Sequence, residues 1–218
     1  ILHKCLCVHL HYMNIKNIYG HVISVVFQPL LLPLLGTIYI IKTNPFTFPD
    51  PYENYMLMLR VALLTFFFPA LVVLLMSALK FVKGVNLRDR QDRIIPYIAT
   101  LALYIWAFYV FYKEGFNGII TFMLLGSTIS IVLAFLMNLL VLKISMHTTG
   151  VGGMLAFFLL LLPYTNYNSL YPFIIMIIIA GLVGSARLAL HAHTTREIYY
   201  GYLIGFFSFM FANLIFAL

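Results

Sequence analysis

The chain has 218 residues, of which 63% are hydrophobic and only 9% charged, and its formal net charge is +7. A soluble domain carries roughly a quarter of its residues as charges, so this composition excludes a water-soluble globule and makes the bilayer the solvent. The basic surplus then points to anionic lipid as partner, and not to nucleic acid.

The tail 1–17 holds Cys5 and Cys7, with His3, His9 and His11 nearby. Cysteines one residue apart cannot close an unstrained disulfide, so they read as free thiols and not as a disulfide framework or a metal site. The tail does not read as a secretory signal: its apolar run is too short and no small-residue cleavage site follows.

A helix needs about 20 mostly apolar residues to cross a ~30 Å hydrocarbon core. Runs of that kind predict spans at about 19–41, 56–79, 95–112, 117–142, 150–163, 169–187 and 199–217. Pro29 and Pro33 predict a bend in the first. The fifth is short, and Thr148 to Gly150 extend its start. Alternating segments of the β-barrel type are not found, so the expected fold is all-α: one multi-pass transmembrane helical bundle of about seven spans over 1–218, without a soluble appendage.

Charge inside a bilayer is costly, so the positions of the few ionisable residues carry information. Three polar groups stand out: Lys80 to Arg93, Lys143 to His147, and Arg187 to Glu197. Two spans separate each group from the next, and an even number of crossings returns the chain to the same face. All three are therefore expected on one side of the membrane. Such a set brings Lys83, Arg88, Arg90, Arg93, Lys143 and Arg187 together with His147, His191, His193 and Glu197. Converging cations call for an anion, and arginine's planar fork suits phosphate. Two histidines can divide the roles of nucleophile and general acid. If 187–197 is helical, Glu197 lies one turn from His193, while Arg187 and His191 share a face.

These residues resemble the type-2 phosphatidic acid phosphatases, the lipid phosphate phosphatases. That family's third motif is Ser-Arg, five residues, His, three residues, Asp. Here A-R-L-A-L-H-A-H-T-T-R-E keeps the spacing at Arg187, His193 and Glu197, and is followed by the small-residue segment Ile198 to Gly205. The second motif, Pro-Ser-Gly-His, appears as I-S-M-H with Ser145 and His147. The first, a lysine, six residues, then Arg-Pro, fits Lys83 and Arg90, with Gln91 in place of proline; a second register uses Arg93 and the displaced Pro96.

The resemblance covers residues 80–205 and implies a phosphatase-like helical core, no cofactor and no metal. It implies His193 as the nucleophile that forms a phosphohistidine, Glu197 as the group that orients it, and His147 as the acid toward the leaving lipid oxygen. Lys83, Arg90, Arg187 and Ser145 would hold the phosphate, with Arg93 and His191 as further candidates. Glutamate replaces aspartate at Glu197, and Met146 replaces the glycine that would approach phosphate. Gly150, Gly152 and Gly153, just beyond, would offer a substitute approach. The altered motif keeps a second class open, a catalytically silent relative that binds lipid headgroups or scaffolds a membrane complex, and Met146→Gly is the discriminating substitution. An H-x-H zinc site at His191 and His193 explains none of the surplus cations. Lysines at 4, 16 and 80 argue for a cytoplasmic site face, whereas family members commonly act on the outer side. The expected residence is a bacterial inner (plasma) membrane.

Overall fold

A computed structural model describes residues 18–81, 91–116, 118–164 and 169–216, with Asp92 as backbone alone. The tail with Cys5 and Cys7, and with them Lys83, Arg88 and Arg90, lie outside the described residues. Among these residues there is no strand, and the molecule is an all-α membrane bundle. Six helices are long and apolar enough to cross a membrane: Ile18–Thr43, Pro51–Ala78, Ile94–Lys113, Gly118–Leu140, Leu170–Ala189 and Thr195–Phe216. The seventh, Met146–Leu161, is a shorter apolar helix.

The first of these is broken, as its prolines predict. Helix α1 (residues 18–26) ends at Gln28, whose ψ of 125° leaves the helical region; a 3-10 turn Pro29–Leu31 follows, then α2 (Leu32–Thr43). Proline has no N–H to continue the ladder, which is why the break falls there. The second span is α3 (Pro51–Ala62) and α4 (Phe68–Ala78), joined by one widened π turn, Leu63–Phe67. Pro69 explains that turn: its ring displaces the carbonyl four residues back, that of Thr65. The Tyr104 hydroxyl from α5 (Ile94–Lys113) donates to the orphaned Thr65 carbonyl at 3.2 Å.

Helix α6 (Gly118–Leu140) is central, with Ile120, Phe122, Met123 and Leu124 fully enclosed between α5 and α9 (Thr195–Phe216). The most extensive helix pairing is α7 (Met146–Leu161) with α9. Phe122, Phe157 and Phe209 pack with centroids 5.9–6.2 Å apart and tie α6, α7 and α9 together. Helix α8 (Leu170–Ala189) is joined to α9 by the Tyr202 hydroxyl, which donates to the Ala180 carbonyl. On the connection away from the polar groups, Arg60 and Glu114 pair at 2.8 Å on the surface.

Candidate functional site

The turn between α8 and α9 is built by two local motifs. Helix α8 ends in a Schellman turn: the Ala192 N–H donates to the Arg187 carbonyl at 3.2 Å and the His191 N–H to the Leu188 carbonyl at 3.0 Å. The pivot is His191, at φ 49°, where glycine is usual. Lys80, at φ 59°, makes the same turn after α4. The residues 187–197 are therefore not one helix, and the shared face expected for Arg187 and His191 does not exist. The His191 side chain is exposed, whereas His193 is only 8% exposed, so the H-x-H pair is split.

Helix α9 then opens with a capping box, T-T-R-E. The Glu197 N–H donates to the Thr194 hydroxyl at 3.4 Å, and a Glu197 carboxylate oxygen accepts from the Thr194 N–H at 3.0 Å. The same oxygen, Oε2, lies 3.0 Å from His193 Nδ1. The expected pairing is present, but the cap makes it, since His193 precedes the helix. A carboxylate only accepts, so Nδ1 carries the hydrogen and Nε2 is left with its lone pair. Burial, foremost, pushes the His193 pKa down to about 3, with the positive fields of Arg93, Arg187, Lys143 and His147 adding to it. The ring is neutral at physiological pH.

The second group arrives on α7. Ser145 stands at its N-cap but its fully buried hydroxyl caps nothing; its carbonyl instead accepts from the Thr148 and Thr149 hydroxyls, each at 3.0 Å. Met146 turns toward the cluster of Tyr97, Tyr104, Ile131 and Ala134 and lines a small cavity of about 40 Å³ beside Pro29 and Gly150. Met146 therefore fills core space, and Met146→Gly empties a packed position as well as restoring a motif. The glycines after it are also not a phosphate approach. Gly150 packs on Leu32 and Pro29, Gly152 on the Tyr202 backbone, and Gly153 on Phe209. A Cβ on Gly201 would meet the Ser145 carbonyl oxygen at 2.9 Å, and one on Gly205 the Gly153 nitrogen at 2.7 Å. Small residues let the α7 and α9 backbones touch, and this contact brings the Ser145–His147 and His193–Glu197 pairs to one place.

The cations close around that place. Arg93, at the start of α5, donates from Nη1 to the Ile144 carbonyl at 3.1 Å, and Lys143 reaches the Ala192 carbonyl at 3.4 Å. Burial, foremost, lowers the Arg93 pKa, while Tyr97 and Glu197 oppose it. Arg187 donates from Nη1 to the Ser24 hydroxyl at 2.9 Å, and His147 Nε2 lies 3.1 Å from the Ser24 carbonyl oxygen. Among the described residues, the Ser145 hydroxyl and Arg187 Nε are buried polar atoms with no hydrogen-bond partner. Such orphans cost about 1–3 kcal/mol each unless something fills them.

Of the residues named from sequence, His147, His193, Glu197, Arg187, Ser145 and Arg93 converge. His191 does not, and Lys83 and Arg90 lie outside the described residues. Two participants were not foreseen. Ser24 has no sequence signal, sitting alone in an apolar span. Thr194 did have one: the T-x-x-E pattern ahead of an apolar run. Comparison of the chain with family models, characterised proteins and solved structures finds no match.

Proposed function

We propose that the chain is an integral membrane phosphatase that removes phosphate from a lipid phosphate or lipid diphosphate in the inner (plasma) membrane of a bacterium. The observation that carries this is a buried neutral histidine, His193, oriented through Nδ1 by Glu197 and ringed by Arg93, Lys143 and Arg187, with Ser145 and Arg187 offering unpartnered polar atoms beside it. A lipid is favoured as the phosphate carrier because the ring lies at the ends of apolar spans.

In this reading the His193 Nε2 lone pair attacks phosphorus and the bond from phosphorus to the lipid oxygen breaks. His147, as imidazolium, gives its Nε2 proton to that leaving oxygen. Water then attacks the phosphorus of the phosphohistidine and gives a proton to His147; the N–P bond breaks, its electron pair returns to His193 Nε2, and inorganic phosphate leaves. The arginines and lysine neutralise charge that grows on the equatorial oxygens. Glu197 keeps Nδ1 protonated throughout, so that Nε2 is always the attacking atom.

The test is phosphate release by purified protein from a panel of lipid phosphates and diphosphates, with chelator present. Turnover is expected, together with an acid-labile phosphoprotein that His193→Ala abolishes. Equal release by wild type and His193→Ala refutes the reading. The alternative, a silent headgroup binder or scaffold, is favoured by one observation: Ser24 already holds both Arg187 and His147. It predicts lipid-phosphate binding without release.

A further inference from the structure

We infer that α1 is a cover over this site, held there by Ser24, and that a phosphate group must displace it. The inference rests on the proposed anion site but not on its turnover. Helix α1 stops at the Gln28–Pro29 break: the Phe27 N–H still donates to the Ile23 carbonyl at 3.0 Å, and beyond it the helical ladder ends. Ser24 belongs to the last turn, and the donor that satisfies its carbonyl is His147 Nε2, at 3.1 Å. Its hydroxyl donates to the Gly20 carbonyl at 2.7 Å and accepts from Arg187 Nη1 at 2.9 Å. One residue thus occupies the hydrogen of the candidate acid and a guanidinium N–H of the candidate phosphate clamp.

The charge also fits. A helix C-terminus carries about half a negative charge, so the end of α1 is a weak built-in anion set against Arg187. A phosphate with up to two full charges and more acceptor oxygens outcompetes it. The cover is lightly held. Ile18, Val22, Val25 and Val26 are all more than half exposed, and the docked face is narrow: Ile23 and the following Phe27 lie against the core, and Gly20 against Leu190, where a Cβ would meet Cγ at 2.6 Å. Leu190 caps α8 directly ahead of the His191 turn, and the non-helical Gln28 supplies a hinge. Elements with few buried contacts open at low cost.

The experiment uses the full chain with Cys5→Ser, Cys7→Ser, Gly20→Cys and Leu190→Cys, in detergent, following disulfide formation between positions 20 and 190. Dioleoyl phosphatidate is compared with inorganic phosphate and with phosphatidylcholine. Phosphatidate is expected to slow closure severalfold while phosphatidylcholine leaves it unchanged; slowing by inorganic phosphate too assigns the effect to the phosphate group without its lipid. The oxidised protein is expected to lose phosphate release and regain it on reduction. If closure is equally fast with every addition and the locked protein still turns over phosphatidate, the cover is refuted and the phosphatase reading stands. If closure slows but no phosphate is ever released, the cover stands on a silent anion binder. If neither closure nor phosphate responds to phosphatidate, both fall.

Discussion

Gly205→Ala separates the helix contact from everything else. The new Cβ would point into the α7 backbone, overlapping the Thr149 carbonyl oxygen and lying 2.7 Å from the Gly153 nitrogen. Ordinary contact begins near 3.4 Å, so α7 must retreat by at least about 0.7 Å, and backbone cannot rotate aside as a side chain can. Overpacking of this kind costs about 1–3 kcal/mol, against which alanine regains up to about 1 kcal/mol of helix propensity. The net expectation is a loss of about 1–2 kcal/mol. The larger effect falls on geometry: a shift near 1 Å between reacting groups costs about a hundredfold in rate. The matched control is Gly181→Ala, whose Cβ meets nothing within 4 Å and which should be neutral or slightly stabilising. The assays are thermal unfolding in detergent and phosphate release on the same preparations. If Gly205→Ala unfolds at the wild-type temperature and keeps wild-type turnover, the close α7–α9 contact does not set the site.

Glu197→Gln preserves a capping box but lets the amide present either face to His193 Nδ1; stability should hold while turnover falls by about two to four orders of magnitude. Glu197→Ala should add a stability loss of about 1 kcal/mol, read by thermal unfolding. Ser145→Ala removes a buried hydroxyl without a partner, so the unfolding midpoint should hold or rise while affinity for phosphatidate drops. His191→Gly relaxes a left-handed residue and should be neutral or up to about 1 kcal/mol stabilising, with turnover unchanged; a lost rate would make the imidazole a participant after all. For acid stability the sign follows from His193. The folded protein holds its pKa near 3, while the unfolded chain binds the proton near 6.5, so stability is complete above about 6.5 and is lost as pH falls toward 3. In His193→Asn the acid unfolding midpoint should move to lower pH.

The span pattern was legible because it depends only on composition along the chain. Hydropathy placed each span to within a few residues, and its misses fall at the starts of α3, α7 and α9, whose first turns hold the polar Glu53, His147 and Glu197. Parity put the polar groups on one face without any knowledge of packing. What remained hidden was three-dimensional. The glycines after His147 read as a phosphate loop because sequence cannot say whether a missing Cβ faces a ligand or another backbone. Helical spacing gave the right His193–Glu197 contact for an incomplete reason, since the chain turns at His191 and restarts at Thr194. Ser24 was out of reach altogether: one hydroxyl in an apolar run says nothing until the break at Gln28 leaves its carbonyl without a helical donor.

The widened turn at Leu63–Phe67 also bears on how this bundle tolerates change in length. A π turn accommodates one residue more than an α-helix of the same rise, so the second span carries its surplus at a single place. Removing one residue there, with Pro69 replaced so that the Thr65 carbonyl regains a helical donor, would leave α3 and α4 facing their present neighbours. The same deletion elsewhere in the span would swing half the helix by about 100° and turn lipid-facing side chains inward. Between α3 and α4 the membrane span thus has a length adjustment, and the Tyr104 hydroxyl, spare once that donor returns, marks where it is set.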